Sequence, residues 1–242
     1  ELMKEISLLE KSIINSKFFD SKIRTCSVSW KEKYLGHLFG PLGLILVVNT
    51  VAALVEKFFT QQVGAMYVEG NDAMISAMGK KYEMVMTVAR LLAVATGLLV
   101  SWLISHTKSK QGRLRPWYLI FGFCSVAIAA TIFLFSGNTL GDNYWYYFFT
   151  LLICYHTIGT SYFYLFRDNI VSLSTHNAKE KAQLTFIRKM SWTLISGILI
   201  GMLVSSVIIP LWLQYDIKGY AILMIILSIV AVPLVLMEYY FS

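Results

Sequence analysis

The chain has 242 residues, of which 57% are hydrophobic and only 14% are charged. A water-soluble domain typically has about 25% charged residues, so this composition excludes that class and indicates a polytopic membrane protein. The net charge of +7 does not indicate nucleic-acid binding, because the cations lie in a few stretches beside apolar runs.

The first 34 residues are charged and polar, with an apolar stripe that contains Met3, Ile6, Leu9 and Ile13. These spacings of three and four residues predict an amphipathic helix. Two placements remain open: the helix lies on the cytoplasmic membrane surface, or it is an extension that packs on the bundle. No basic-then-apolar leader opens the chain, so we expect no cleavable signal peptide.

Residues 35–242 contain six apolar runs, each long enough to cross a hydrocarbon core of about 30 Å. Backbone groups in a membrane must satisfy one another, so each run is expected to be helical. The predicted spans are 36–59, 84–106, 116–137, 143–167, 187–213 and 219–240. The sequence therefore predicts an all-α six-helix bundle, with a short extra helix around 73–81.

Lysine and arginine orient this bundle. Sixteen of them lie on one side of the predicted spans, in residues 1–35, 107–115 and 166–189, whereas three lie on the other side. This asymmetry predicts that the N-terminus, the C-terminus and the cation-rich loops are cytoplasmic. We expect a multi-pass protein of a plasma membrane of bacterial type.

Charges inside a membrane span are costly, so each one is a candidate for function. Arg90 lies near the outer end of the second span, and Glu56 lies near the outer end of the first. The two spans run in opposite directions, so we predict that these residues form a pair. The alternative is a structural ion pair, or side chains that reach the interface by snorkelling.

Two further pairs of charges lie where spans four and five meet the cytoplasmic side. Arg167 and Asp168 line a cavity if the fourth helix continues to Ser174, and otherwise they are boundary charges. Arg188 and Lys189 open the fifth span, where one is expected to face a central cavity and the other to belong to the cation pattern.

Aromatic side chains in and beside spans four and five offer a stacking surface for a sugar ring, with core or interface packing as the alternative. They are Trp145, Tyr155, Tyr162, Tyr164 and Trp192. His156 is a lone histidine and is expected to be a packed residue rather than a proton relay. The chain contains no hydrolase, protease or phosphate-loop motif and no spaced Cys/His set. We therefore expect no enzyme activity, catalytic residue, metal site, cofactor or disulfide.

The segment from Thr107 to Trp117 reads TKSKQGRLRPW. Its order of Thr, cation, Ser, cation, x, Gly, cation, x, cation, Pro and Trp resembles the loop between helices two and three of glycoside-pentoside-hexuronide:cation symporters. These melibiose-permease-like sugar transporters belong to the major facilitator superfamily. Looser matches at Trp30–Gly36, Phe58–Thr60 and Lys179–Leu184 extend the resemblance over about residues 30–240.

The resemblance implies twelve helices in two six-helix halves, of which this chain is similar to the N-terminal half. The C-terminal half, or a partner membrane protein, is then expected to form the opposite wall of the cavity. The loop implied to brace the two halves contains Lys108, Lys110, Gly112, Arg113 and Arg115. The other expected partners are membrane lipids and a small-molecule substrate, with no nucleic acid.

Carried over residue by residue, the family's helix-two arginine falls on Arg90, and its arginine at the start of helix five falls on Arg188. The helix-two carboxylates that bind the coupling cation in such transporters fall on Ala93 and Gly97. Sodium prefers carboxylate and carbonyl oxygens, so the usual cation coupling is not expected. Two retained arginines favour an anionic or zwitterionic substrate.

The family's acidic residues on helices one and four are also absent from this chain. They fall on Ile45 and on Tyr164 or Arg167, with Asp168 as a near neighbour. The resemblance is therefore closer for the helical scaffold than for the residues that bind sugar in that family.

Two functions follow from these patterns. The first is a secondary transporter that moves a sugar, glycoside or amphiphilic anion by alternating access. Its expected substrate-binding residues are Arg90, Glu56, Arg188, Asp168 and Tyr164. The second is a transport-inactive, transporter-like membrane subunit or scaffold that binds a partner protein.

Overall fold

The computed structural model of the protein describes residues 18, 28–67, 72–109, 112–160, 169–172, 174–175, 177–193, 207–208, 211 and 216–241. Regular structure in these ranges is entirely helical. Two π-helices span Glu32–Phe39 and Tyr155–Thr160, and a 3-10 turn spans Gly141–Asn143. The α-helices are α1 (Leu42–Met66), α2 (Asp72–His106), α3 (Arg115–Leu134), α4 (Gly137–Leu140), α5 (Tyr144–Cys154), α6 (Ala178–Thr193) and α7 (Ile217–Phe241).

Four helical stretches in the described ranges are long and apolar enough to cross a membrane. They are Glu32–Met66, Ala73–His106, Arg115–Leu134 and Ile217–Phe241. These stretches confirm the first, second, third and sixth predicted spans. The fourth span begins with α5 and the second π-helix, the fifth begins within α6, and both predicted spans extend outside the described residues.

The second helix is longer than the sequence predicted. It begins at Asp72 rather than near residue 84, so the short helix expected around 73–81 is the first part of α2. Its 35 residues span about 52 Å at about 1.5 Å per residue, which exceeds a hydrocarbon core of about 30 Å. A helix satisfies its own backbone on both sides of the interface, so the membrane boundary does not end it.

Side-chain caps fix the start of two helical segments. Ser29 and Glu32 form a reciprocal capping box, in which Ser29 N donates to Glu32 Oε2 at 2.8 Å and Glu32 N donates to Ser29 Oγ at 3.3 Å. At the start of α6, Asn177 Oδ1 accepts from Lys179 N at 3.0 Å. The charged segment before residue 187 is therefore helical from Ala178 onward.

The core forms where α1, α3, α5 and α7 meet. The ring of Phe58 on α1 lies 4.9 Å from that of Phe133, 5.5 Å from that of Tyr220 and 6.3 Å from that of Phe148. These contacts join all four helices through one fully buried side chain.

Glycines allow α7 to approach the beginning of the first span closely. A Cβ at Gly40 would lie 2.5 Å from Glu238 Cβ, and one at Gly43 would lie 2.8 Å from the Ala231 carbonyl oxygen. Small residues at these two positions therefore let the helix backbones approach closely, as they often do between membrane helices.

Most of the N-terminal segment lies outside the described residues, so its helix and the domain boundary at residue 34 stay predictions. Phe18 of this segment contacts the bundle, since its carbonyl oxygen accepts a hydrogen bond of 2.7 Å from Tyr240 Oη. The segment therefore touches the end of α7.

Candidate functional site

Arg90 lies near the middle of α2 on a surface that is both exposed and apolar. Its neighbours Leu91 and Val94 are 67% and 68% exposed. Among the described residues Arg90 has no hydrogen bond and no ion pair. A cation in this position is costly in lipid, which makes it the strongest candidate for contact with a ligand or with water.

The predicted pair between Glu56 and Arg90 is not formed, although both side chains are described and exposed. Tyr82 lies within electrostatic range of both charges. Its ring stacks on Phe59 of α1 with centroids 4.5 Å apart. An aromatic contact therefore fills the α1–α2 interface where the ion pair was expected, and both charges remain available to a ligand.

The second π-helix adds His156, which is half-buried and lies within electrostatic range of Arg90. The π-helix lies beside α2, where Thr96 Oγ1 is 3.3 Å from the Thr157 carbonyl oxygen. Such wide turns often occur at functional sites.

Two positions on α2, at which the sequence resemblance leads us to expect cation-binding carboxylates, have small residues in this chain. Ala93 and Gly97 are half-buried, and a Cβ at Gly97 would meet nothing within 4 Å. In the described ranges no group of three or more His, Cys, Asp or Glu side chains is arranged to hold a metal ion. This part of α2 offers space but no anionic ligand for a cation.

The loop between α2 and α3 is closed by the threonine and tryptophan of its motif. Trp117 Nε1 donates to the buried Thr107 Oγ1 at 2.8 Å, and Thr107 Oγ1 donates to the Leu103 carbonyl oxygen at 2.9 Å. Gly112 has a φ of +92°, a backbone conformation that favours glycine, and its N–H donates to Ser109 O at 3.2 Å.

Two cations of this loop, Lys108 and Arg113, are exposed, whereas Arg115 is half-buried where α3 begins. Lys110 lies outside the described residues. The side chains of Thr107 and Trp117 thus fix the loop, and Lys108 and Arg113 are exposed on it.

A buried ion pair joins Arg188 of α6 to Glu238 of α7. The guanidinium Nη2 donates to Glu238 Oε1, and Tyr118 Oη of α3 donates to Glu238 Oε2. Arg188, Glu238 and Tyr118 are 8%, 1% and 3% exposed. We call these three residues the buried triad, and they join three helices through one carboxylate.

Sequence reasoning identified Arg188 but missed Glu238 and Tyr118. The signal was present, because Glu238 is an acidic residue within the predicted sixth span. The fifth and sixth predicted spans are consecutive and cross the membrane in opposite directions. The start of the fifth span is therefore at the same side of the membrane as the end of the sixth. Of the two cations that open the fifth span, Arg188 is buried and Lys189 is exposed.

The remaining predicted site residues divide into two groups. Asp168 and Tyr164 lie outside the described residues, as does Tyr162. Tyr155 is buried, and Trp145 packs against Phe59 with ring centroids 5.5 Å apart. These two aromatics therefore belong to the core rather than to a sugar-stacking surface.

The helical structure of the described residues, with four helices long and apolar enough to cross a membrane, defines a polytopic membrane protein. The chain matches the family described as MFS/sugar transport protein over residues 36–242, and it belongs to that family. It is thus an integral membrane transporter of the major facilitator superfamily. No curated protein matches the chain.

Proposed function

We propose that the protein is a secondary active transporter of the glycoside-pentoside-hexuronide type that moves an anionic sugar derivative or an amphiphilic anion by alternating access. The loop from Thr107 to Trp117 supports this finer assignment. Its motif residues are those that form the loop's own hydrogen bond and its left-handed turn.

One observation supports a negative charge on the proposed substrate. Arg90 is an exposed cation at mid-helix that lacks an ion pair among the described residues, and Tyr82 and His156 lie within electrostatic range of it. An anionic group on the substrate would compensate this cation, and Glu56 would accept hydrogen bonds from sugar hydroxyl groups.

Helix α2 also argues against sodium coupling by the route used in the symporters that this sequence resembles. Ala93 and Gly97 supply no carboxylate oxygen, so α2 would not bind sodium as those proteins do. Coupling, where it occurs, would use another group.

The exposed cations Lys108 and Arg113 would brace this bundle against a second six-helix half as the two halves rock. The cation asymmetry supports a cytoplasmic position for this loop and for both termini. The opposite wall would then come from the C-terminal half or from a partner membrane protein.

Uptake into proteoliposomes tests the proposal. The native protein is assayed with radiolabelled glucuronate, lysophosphatidylglycerol and neutral melibiose, alongside Arg90→Ala and the matched control Lys80→Ala. We expect uptake of at least one anion, loss of most of that uptake in Arg90→Ala, and no change in Lys80→Ala, since Lys80 is an exposed cation near the helix end.

Two results would reject the proposal. Unchanged anion uptake by Arg90→Ala would remove its proposed role. No uptake of any of the three probes, together with a membrane protein that co-purifies at fixed stoichiometry, would instead favour the scaffold function.

A further inference from the structure

One face of α6 changes from polar to apolar along its length. Lys179, Gln183, Phe186 and Met190 follow one another at spacings of four, three and four residues, so they lie on one side of the helix. All four are exposed, and Phe186 and Met190 are 64% and 46% exposed. The buried residues of α6 lie on another side, and they are Leu184, Arg188 and Ser191. The described part of the bundle therefore leaves this face uncovered.

The polar end of the face has two cations. Lys33 of the first π-helix reaches α6, where its Nζ donates to Gln183 Oε1 at 3.4 Å. Lys179 lies one helical turn before Gln183. Among the described residues neither lysine forms an ion pair. Two ammonium groups thus lie on either side of one amide.

The nearest carboxylates on these two helices are held by other groups. Glu32 Oε2 accepts a hydrogen bond from Ser29 N at 2.8 Å in the capping box. Glu180 Oε2 accepts one from Thr175 Oγ1 at 3.0 Å. The polar end of the face is therefore positively charged, which favours binding of an anion.

Aromatic side chains indicate the depth of these cations in the membrane. Trp30 and Tyr34 lie on either side of Lys33 in the sequence, are 70% and 38% exposed, and pack with ring centroids 4.9 Å apart. Exposed Trp and Tyr side chains are enriched at the level of the lipid headgroups. Lys33 is thus expected at headgroup depth.

The apolar end of the face lies deeper. At about 1.5 Å per residue, Phe186 is about 10 Å and Met190 about 16 Å beyond Lys179 along the axis of α6. The predicted fifth span begins at residue 187, between these two side chains. They are therefore placed to contact acyl chains.

We propose that this face of α6 binds an anionic phospholipid of the surrounding bilayer. The phosphate lies between Lys33 and Lys179, and one acyl chain follows Phe186 and Met190. We call these four residues the lipid face.

Charge complementarity selects this occupant. An apolar helix of another protein would cover Phe186 and Met190 but would leave two ammonium groups without a counterion. A zwitterionic lipid brings its own cation to the headgroup. An anionic lipid matches both ends of the face, and each lysine near such a headgroup contributes about fivefold in affinity.

Native mass spectrometry of the full protein tests the proposal. The protein is held in micelles that contain equal amounts of dioleoyl phosphatidylglycerol and dioleoyl phosphatidylcholine, and binding of the first lipid is measured. We expect the native protein to prefer phosphatidylglycerol. The double variant Lys33→Gln/Lys179→Gln should lower that preference by about 30-fold, since two lysines are lost.

Two further double variants serve as controls. Lys33→Arg/Lys179→Arg keeps both charges and should keep most of the preference. Lys80→Gln/Lys81→Gln removes the same charge from an exposed part of α2 and should leave the preference unchanged.

The acyl contact is tested separately. Phe186→Ser should weaken binding of phosphatidylglycerol several-fold without changing the preference between the two headgroups, because both lipids have the same chains. Glycerol 3-phosphate, which has the headgroup phosphate but no acyl chain, should not displace the bound lipid at equal concentration.

Four results would overturn the proposal. Equal binding of the two lipids by the native protein would favour a protein partner, such as a second six-helix half, on this face. An unchanged preference in Lys33→Gln/Lys179→Gln would show that these lysines do not bind the headgroup. Unchanged lipid affinity in Phe186→Ser, or displacement by glycerol 3-phosphate, would show that no acyl chain lies on the face. All of these measurements report lipid binding, so they are independent of the proposed transport.

Discussion

The buried triad makes the sharpest stability prediction. Replacing one partner of a buried ion pair leaves the other charged and uncompensated, and such changes cost about 3–5 kcal/mol. Arg188 and Glu238 are 9% and 1% exposed in their side chains, so solvent screening is small. We therefore expect Arg188→Met and Glu238→Leu each to lower the free energy of unfolding by about 3–5 kcal/mol.

The double variant should recover most of that loss, because apolar side chains of similar volume often replace a buried pair at little cost. Its remaining deficit is the hydroxyl of Tyr118, which loses an acceptor at a cost of about 1–3 kcal/mol. The coupling energy between the two sites should then be about 3 kcal/mol or more.

The assay is denaturant unfolding in mixed micelles followed by circular dichroism, with all four members of the cycle measured in the same micelles. Glu83→Leu, at an exposed position on α2, is the control and should change stability by no more than about 0.5 kcal/mol. If the two single effects simply add in the double variant, the ion pair contributes no coupling and the reasoning is refuted.

Three further variants test the packing that surrounds these sites. Gly40→Ala should destabilise the bundle by roughly 1–3 kcal/mol, because its Cβ would lie 2.5 Å from a Cβ on α7. Gly64→Ala, which meets nothing within 4 Å, should not, and equal effects in unfolding assays would contradict the close approach. Thr107→Val removes the buried acceptor of Trp117 and should cost roughly 1–3 kcal/mol, with a changed Trp117 fluorescence spectrum as the check. Gly112→Val should cost about 1–2 kcal/mol from its φ of +92° alone, whereas Gly112→Asn, which tolerates positive φ, should cost less in the same assay.

The sequence predicts the spans well because a membrane imposes one strong rule on composition. Runs of about 20 apolar residues must be helical, and four of the six predicted spans appear as helices of sufficient length in the described ranges. The ends are predicted poorly. Hydropathy marks where the lipid ends and not where the helix ends, so α2 extends back to Asp72 through a polar segment.

The contacts of the charged residues could not be derived in the same way. The sequence predicts that Glu56 and Arg90 lie at a similar depth in the membrane. Depth alone does not determine which side chains meet between α1 and α2, and Tyr82 packs there instead. The ion pair of Glu238 was easier to predict from the sequence than the contacts of Glu56. An acidic residue in an apolar run requires a cation nearby, and Arg188 and Lys189 lie at the start of the adjoining helix.

Counterflow tests the central claim of alternating access most directly. Proteoliposomes are loaded with unlabelled glucuronate or lysophosphatidylglycerol, and entry of the corresponding labelled anion is followed without any ion gradient. A carrier that exposes one site to each side in turn should accumulate label transiently above its equilibrium level, and Arg90→Ala should abolish this overshoot. Label that enters equally fast with and without internal substrate, or that does not enter at all, would contradict the account.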